Sequence, residues 1–174
     1  GEVLALFIGI MIGLPLPLIA LQILWINMAT DSLPALALGL EKAEIGIMKR
    51  KPRHKREKLI NINTGMYMLF LGIIMMVGTL GLFYYYLVKQ GWSFGELLAR
   101  DNPIYVYATS ISFTTLMMFQ MFNVINCKTL KESVFKEGLL SNLWLLGAVV
   151  VSILMQIIVL YTPLSNVFHV TALG

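Results

Sequence analysis

Long apolar runs separated by short polar ones set the pattern of this chain. A helix needs about 20 mostly apolar residues to cross a bilayer. "VLALFIGIMIGL" (3–14) falls short of that and reads as the end of a helix that begins further upstream. The "PLP" at Pro15–Pro17 is expected to stop it, because proline lacks an amide donor and disfavours helix in the residue before it. Full spans follow at 18–40, 62–88, 104–126 and 142–161. The run 62–88 would be about 40 Å long as a helix, more than a ~30 Å hydrocarbon core, so it must tilt or protrude. The tail "TPLSNVFHVTALG" is too short for another crossing. The pattern predicts an all-α polytopic transmembrane helix bundle, with residues 1–174 as one membrane region whose first span, 1–14, is partial.

Composition agrees with this pattern. The chain has 174 residues, of which 58% are hydrophobic and only 13% charged. Its mean hydropathy is +0.80. A soluble fold of this size would lack the polar surface it needs. The net charge of +4 is therefore read through topology rather than as a nucleic-acid footprint. The single Cys127 excludes an internal disulfide and a multi-cysteine metal site. No secretory signal is visible, since Gly1-Glu2 opens the chain without a Met or a basic leader. That opening is expected of a piece cut from something longer.

Lysine and arginine set the expected orientation. Eight lie between Lys42 and Lys58, and Lys128, Lys131 and Lys136 follow the third full span. The other side receives only Lys89 and Arg100. The positive-inside rule then places loops 41–61 and 127–141 in the cytoplasm. Tyr84, Tyr85, Tyr86, Trp92, Tyr105, Tyr107 and Tyr161 are expected as interfacial anchors on the outer side. Gly65, Gly72, Gly78 and Gly81 either admit close helix neighbours or are simply tolerated.

Candidate chemistry sits inside the spans. Of nine acidic residues, all but Glu2 and Asp31 fall in loops. A carboxylate at the centre of a membrane helix costs roughly 2.5–3.5 kcal/mol on insertion scales, so Asp31 needs a proton, a bound cation or a basic partner. Asn27, Thr30 and Asp31 are spaced i, i+3, i+4 and would share one face of an α-helix. Pro34 cannot donate to the Thr30 carbonyl, which frees another oxygen at the same turn. Broken helices of this kind form ion sites in transporters, and hard oxygen ligands suit Ca2+ or similar cations. The alternative for Asn27 and Thr30 is interhelical hydrogen bonding, which leaves Asp31 unexplained. Glu2 could face Asp31 or could be a solvent-exposed end. Gln120, in "MMFQMFNVIN", could be a neutral ligand or a structural hydrogen-bonding group.

Other features have plain readings. His54 and His169 have no partner at ligand spacing and are expected in solvent. The eleven methionines read as packing. The basic loop could bind anionic lipid, although a topological anchor suffices. No phosphate-binding loop, nucleophile elbow or zinc motif is present.

The segment "LQILWINMATDSLPALALGLEKAEIGIMKRKPR" resembles the sixth transmembrane helix and following loop of type II P-type cation-transporting ATPases, most closely the calcium-pump branch. "SISFTTLMMFQMFNVINCK" is similar to the eighth helix and "NLWLLGAVVVSILMQIIVLYTPL" to the ninth. The resemblance covers essentially the whole chain, from the end of the fifth helix through the ninth. It implies that Glu2, Asn27, Thr30 and Asp31 occupy ion-liganding positions, Asp31 being the one that can bridge two ions. Gln120 stands where two-calcium pumps carry an acid, which implies one transported Ca2+ per cycle. Asn27 in place of an aspartate favours calcium over sodium and potassium, with Mn2+ the alternative hard cation. The resemblance further implies a plasma-membrane pump driven by an aspartyl-phosphate cycle. Its ATP, Mg2+ and catalytic domains lie upstream, so these 174 residues carry no ATP-hydrolysing site. Expected partners are the transported cation, those upstream domains and membrane lipid, with no nucleic acid. From the residues alone, two rivals remain: a channel or secondary cation/proton antiporter using Asp31 as relay, and a non-transporting membrane assembly subunit.

Overall fold

The computed structural model describes residues 1–40, 62–96, 98–127 and 142–173. Loops 41–61 and 128–141, with His54, lie outside the described residues, as does the side chain of Thr30. Helices follow in the order α1 (Glu2–Ile12), α2 (Ala20–Trp25), a π-helical turn (Ile26–Thr30), α3 (Ser32–Gly39) and α4 (Ile62–Lys89). Then come α5 (Pro103–Cys127), α6 (Leu143–Tyr161) and a short α7 (Leu164–Phe168). There is no strand among the described residues. Among the described residues, only α4, α5 and α6 are long and apolar enough to cross a membrane as single helices.

One expectation about helix ends needs correction, and one is refined. Glycine, not the "PLP" step, terminates α1: Gly13 takes the left-handed conformation (φ 84°), its amide donates to the Ile10 carbonyl, and that of Leu14 donates to the Gly9 carbonyl. This is the usual glycine stop, two residues ahead of Pro15. The span 18–40 is broken, as expected, but the break lies at residues 26–31, ahead of Pro34. The Asp31 amide reaches back five residues to the Ile26 carbonyl (2.9 Å), which widens the turn and separates α2 from α3. Pro34 sits in the first turn of α3, where its missing N–H costs nothing.

α5 lies at the centre of the bundle. Its Tyr105 and Ala108 pack with Ala5, Leu80, Phe83 and Leu87. Phe113 and Leu116 pack with Leu18, Ile26, Met75, Val159 and Phe168, and Met117 and Met121 with Val149. Its burial explains why α5 carries small polar residues. Thr109 and Ser110 donate to the Val106 carbonyl and Ser112 to that of Ala108, so each hydroxyl is satisfied within the helix. Two expected interfacial aromatics also turn inward. Trp92 and Tyr105 are each 6% exposed; the Trp92 indole donates to the Glu96 carbonyl and the Tyr105 hydroxyl to the Leu16 carbonyl. Tyr84, Tyr85 and Tyr161 do face outward. Lys89, expected in a loop, is the last residue of α4.

The α4 glycines differ from one another. A methyl group at Gly78 would come within 2.5 Å of the Phe119 ring, and one at Gly72 within 3.2 Å of Leu4 Cδ1, whereas Gly81 faces open space. Gly78 thus sets the approach of α4 to α5. Gly78→Ala should destabilise the membrane region by about 1–3 kcal/mol through overpacking. Gly81→Ala, measured beside it by thermal denaturation in detergent, should be neutral or slightly stabilising.

Candidate functional site

The start of α1, the π turn and the inner part of α5 meet at one carboxylate. Glu2 Oε2 accepts from Asn27 Nδ2 at 3.0 Å, and Glu2 Oε1 accepts from Gln120 Nε2 at 2.6 Å. Residues 25 and 118 positions away in sequence therefore converge on one side chain. Close packing of α1 against α4, where Gly72 admits Leu4, holds Glu2 at this point.

The π turn gives Asn27 its place. Asn27 Nδ2 also donates to the Ile23 carbonyl at 2.9 Å, which pins the side chain along α2. The Asn27 carbonyl, left without an ordinary helical donor by the wide turn, accepts from Ser32 Oγ at 3.1 Å. π turns of this kind widen a helix by one residue and re-aim its side chains, and they cluster at functional sites. Asn27 and Thr30 both lie in the π turn, and Asp31 follows it directly. Asp31 occupies the bend between the π turn and α3. It makes no capping bond to α3, so its carboxylate is not consumed in ending a helix. It is half-buried and near enough to Glu2 for the two like charges to act on each other.

Two details describe what this arrangement can do. Gln120 Oε1 is buried without a partner, so an acceptor oxygen is free beside the Glu2 carboxylate. No lysine or arginine occurs in α1, α2, α3 or α5 to neutralise Glu2 and Asp31. Carboxylate, amide and backbone oxygens without a basic partner make a cation-seeking surface. Among the described residues no three His, Cys, Asp or Glu side chains gather, so any cation held here relies on neutral oxygens as well. Asn27 is exposed, which leaves the site open on one side.

Residues 15–174 match the family described as cation transporting ATPase, C-terminus. The chain belongs to this family. It is 37% identical over 174 residues to the calcium-transporting ATPase of Bacillus subtilis (strain 168), covering 99% of this chain and 18% of that protein. It is 29% identical to calcium-transporting ATPase 3, endoplasmic reticulum-type, of Arabidopsis thaliana, over 100% of this chain and 19% of the relative. With calcium-transporting ATPase type 2C member 1 of Homo sapiens it shares 36% identity over 94% of this chain and 17% of that protein. The chain thus spans about a fifth of the length of these relatives. It is the C-terminal membrane region of a P-type cation-transporting ATPase, an integral multi-pass membrane segment.

Within this cation-ATPase region, other polar residues sit inside the spans besides those expected at the site. Gln22 is fully buried; its Oε1 accepts from the Ile19 amide at 3.1 Å and its Nε2 donates to the Phe168 carbonyl at 3.2 Å. Gln156 is 3% exposed and donates to Thr114 Oγ1 at 3.4 Å. The signal for both was an amide in an otherwise apolar run, the same signal that singled out Gln120. His169 is exposed, in line with its expected place in solvent.

Proposed function

We propose that this region supplies half of the intramembrane ion site of an ATP-driven pump that exports Ca2+ from the cytoplasm. The observation that carries the reading is the single carboxylate of Glu2 joining Asn27 of the π turn to Gln120 of α5. Rotation of the two amides would exchange their donors for oxygens, so that Glu2, Asn27, Gln120 and, from the bend, Asp31 and the Thr30 carbonyl face one cation. Pro34 keeps that carbonyl free of a helical donor. Two carboxylates balance one divalent ion, and Gln120 adds an oxygen without a third charge. That favours one Ca2+ per cycle, because calcium affinity depends on the number of charged ligands.

The exposed side of Asn27 is where further membrane helices of the full-length protein would close the site. ATP and Mg2+ belong to cytoplasmic domains outside this chain, and phosphorylation there would drive the helix movements that widen the oxygen cage and lower its affinity. The broken helix suits that task, since α2 and α3 can move separately about the π turn. Loops 41–61 and 127–141 face the cytoplasm in this reading, and the protein resides in the plasma membrane. Its other partners are the upstream domains of the same protein and membrane lipid.

The full-length protein in membrane vesicles tests the reading. It should form an acid-stable phosphoenzyme from ATP only when Ca2+ is present. It should also bind about one 45Ca2+ per phosphorylation site, the number expected from two charged ligands. Phosphorylation independent of calcium would refute calcium transport, and two bound ions per site would refute the stoichiometry.

A further inference from the structure

The residues after the last long helix form a clasp on the outer half of the broken helix. α7 and the segment after it fold back over the bundle instead of leaving it. His169 takes a left-handed conformation (φ 48°, ψ 50°), and the Val170 amide returns to the Ser165 carbonyl at 3.0 Å. This turn drives Phe168 and Val170 into the core, where they are 8% and 5% exposed beside Leu18 and Ile26. Phe168 meets Trp25 edge to face at 5.1 Å between ring centroids, and its carbonyl accepts from the buried Gln22 amide. The Thr171 amide then donates to Ser110 Oγ on α5 at 2.9 Å. One short segment therefore grips α2 at Gln22 and Trp25 and α5 at Ser110.

Asn27 follows Trp25 by two residues, and Gln120 lies on the same α5 that the clasp holds. We propose that the 162–173 segment is a clasp that locks α2 to α5. Gln22 and Phe168 are then positioning residues that fix the distance between Asn27 and Gln120. The clasp itself stands on geometry alone; its effect on calcium rests on the ion-site reading above. A cavity of about 160 Å3 lined by Leu21, Leu24, Trp25, Met28, Ala29 and Phe168 adjoins the joint.

The test uses the full-length protein with Phe168→Ala, Gln22→Leu and the double variant. Hydrogen exchange read by mass spectrometry should rise in residues 18–27 of Phe168→Ala and stay unchanged in 103–127. Unchanged exchange in 18–27 would overturn the clasp, whatever the protein transports. In calcium-dependent phosphorylation, each single variant should raise the half-maximal Ca2+ concentration about tenfold, Gln22→Leu by removing the buried hydrogen bond to the Phe168 carbonyl and Phe168→Ala by removing the ring packed on Trp25. The double variant should equal the singles within about twofold, because both changes release the same device. A general loss of folded protein would lower the phosphoenzyme level without moving the half-maximal concentration. Faster exchange with unaltered calcium dependence would overturn the positioning role. A wild-type protein with no calcium-dependent phosphoenzyme would sink the ion-site reading alone, leaving the exchange result to decide the clasp. Gln22→Leu removes a fully buried hydrogen-bonding group, and if it fails to accumulate, Phe168→Ala carries both readouts.

Discussion

Asp31→Asn in the full-length protein should abolish calcium-dependent phosphorylation from ATP. The substitution keeps the shape of the side chain, removes its charge and turns one acceptor oxygen into an NH2 donor. That charge is costly inside a membrane, roughly 2.5–3.5 kcal/mol on insertion scales. α3 does not use the carboxylate as a cap, and α1, α2, α3 and α5 carry no lysine or arginine to pair with it. A divalent cation can neutralise it at the bend of the broken helix. Loss of one of two charged ligands should shift calcium affinity by about two orders of magnitude or more. Phosphorylation from inorganic phosphate without calcium, run in parallel, should persist in the variant and so separate a lost ligand from a lost fold. Equal phosphoenzyme levels with and without the carboxylate would contradict the assignment.

Glu2 should matter for two separable reasons. Glu2→Gln removes charge but can keep hydrogen bonds to Asn27 and Gln120, so the protein should fold and its half-maximal Ca2+ should rise by about two orders of magnitude. Glu2→Ala also leaves the Gln120 amide without its acceptor, whereas Asn27, exposed, keeps its bond to the Ile23 carbonyl. An orphaned donor costs about 1–3 kcal/mol where it is buried, so this variant should lose some thermal stability as well as affinity. Calcium titration of phosphorylation, set beside melting of the purified protein, distinguishes the two effects. An unshifted titration in Glu2→Gln would remove Glu2 from the site.

The apolar runs determined the all-helical architecture, because a bilayer leaves the backbone no partner but itself and so forces each crossing into helix. The same runs exposed Asp31, Asn27 and Gln120 as polar groups that an apolar span does not need, and Pro34 marked the helix containing them as breakable. What the linear order could not decide was which groups meet. Glu2 faces Asn27 and Gln120 because α1 packs on α4 and α5 lies at the centre, a matter of contacts between residues more than a hundred positions apart. The end of α1 fell to Gly13 because a left-handed glycine closes two hydrogen bonds that proline cannot. The π turn itself, a five-residue return from the Asp31 amide to the Ile26 carbonyl, was not legible in the linear order. Trp92 and Tyr105 turned inward because backbone carbonyls of the Glu96 and Leu16 loops accept their protons there. Local sequence decides which segments are helical and which polar groups are out of place. Packing between distant segments decides what those groups touch, and only that decides what they can bind.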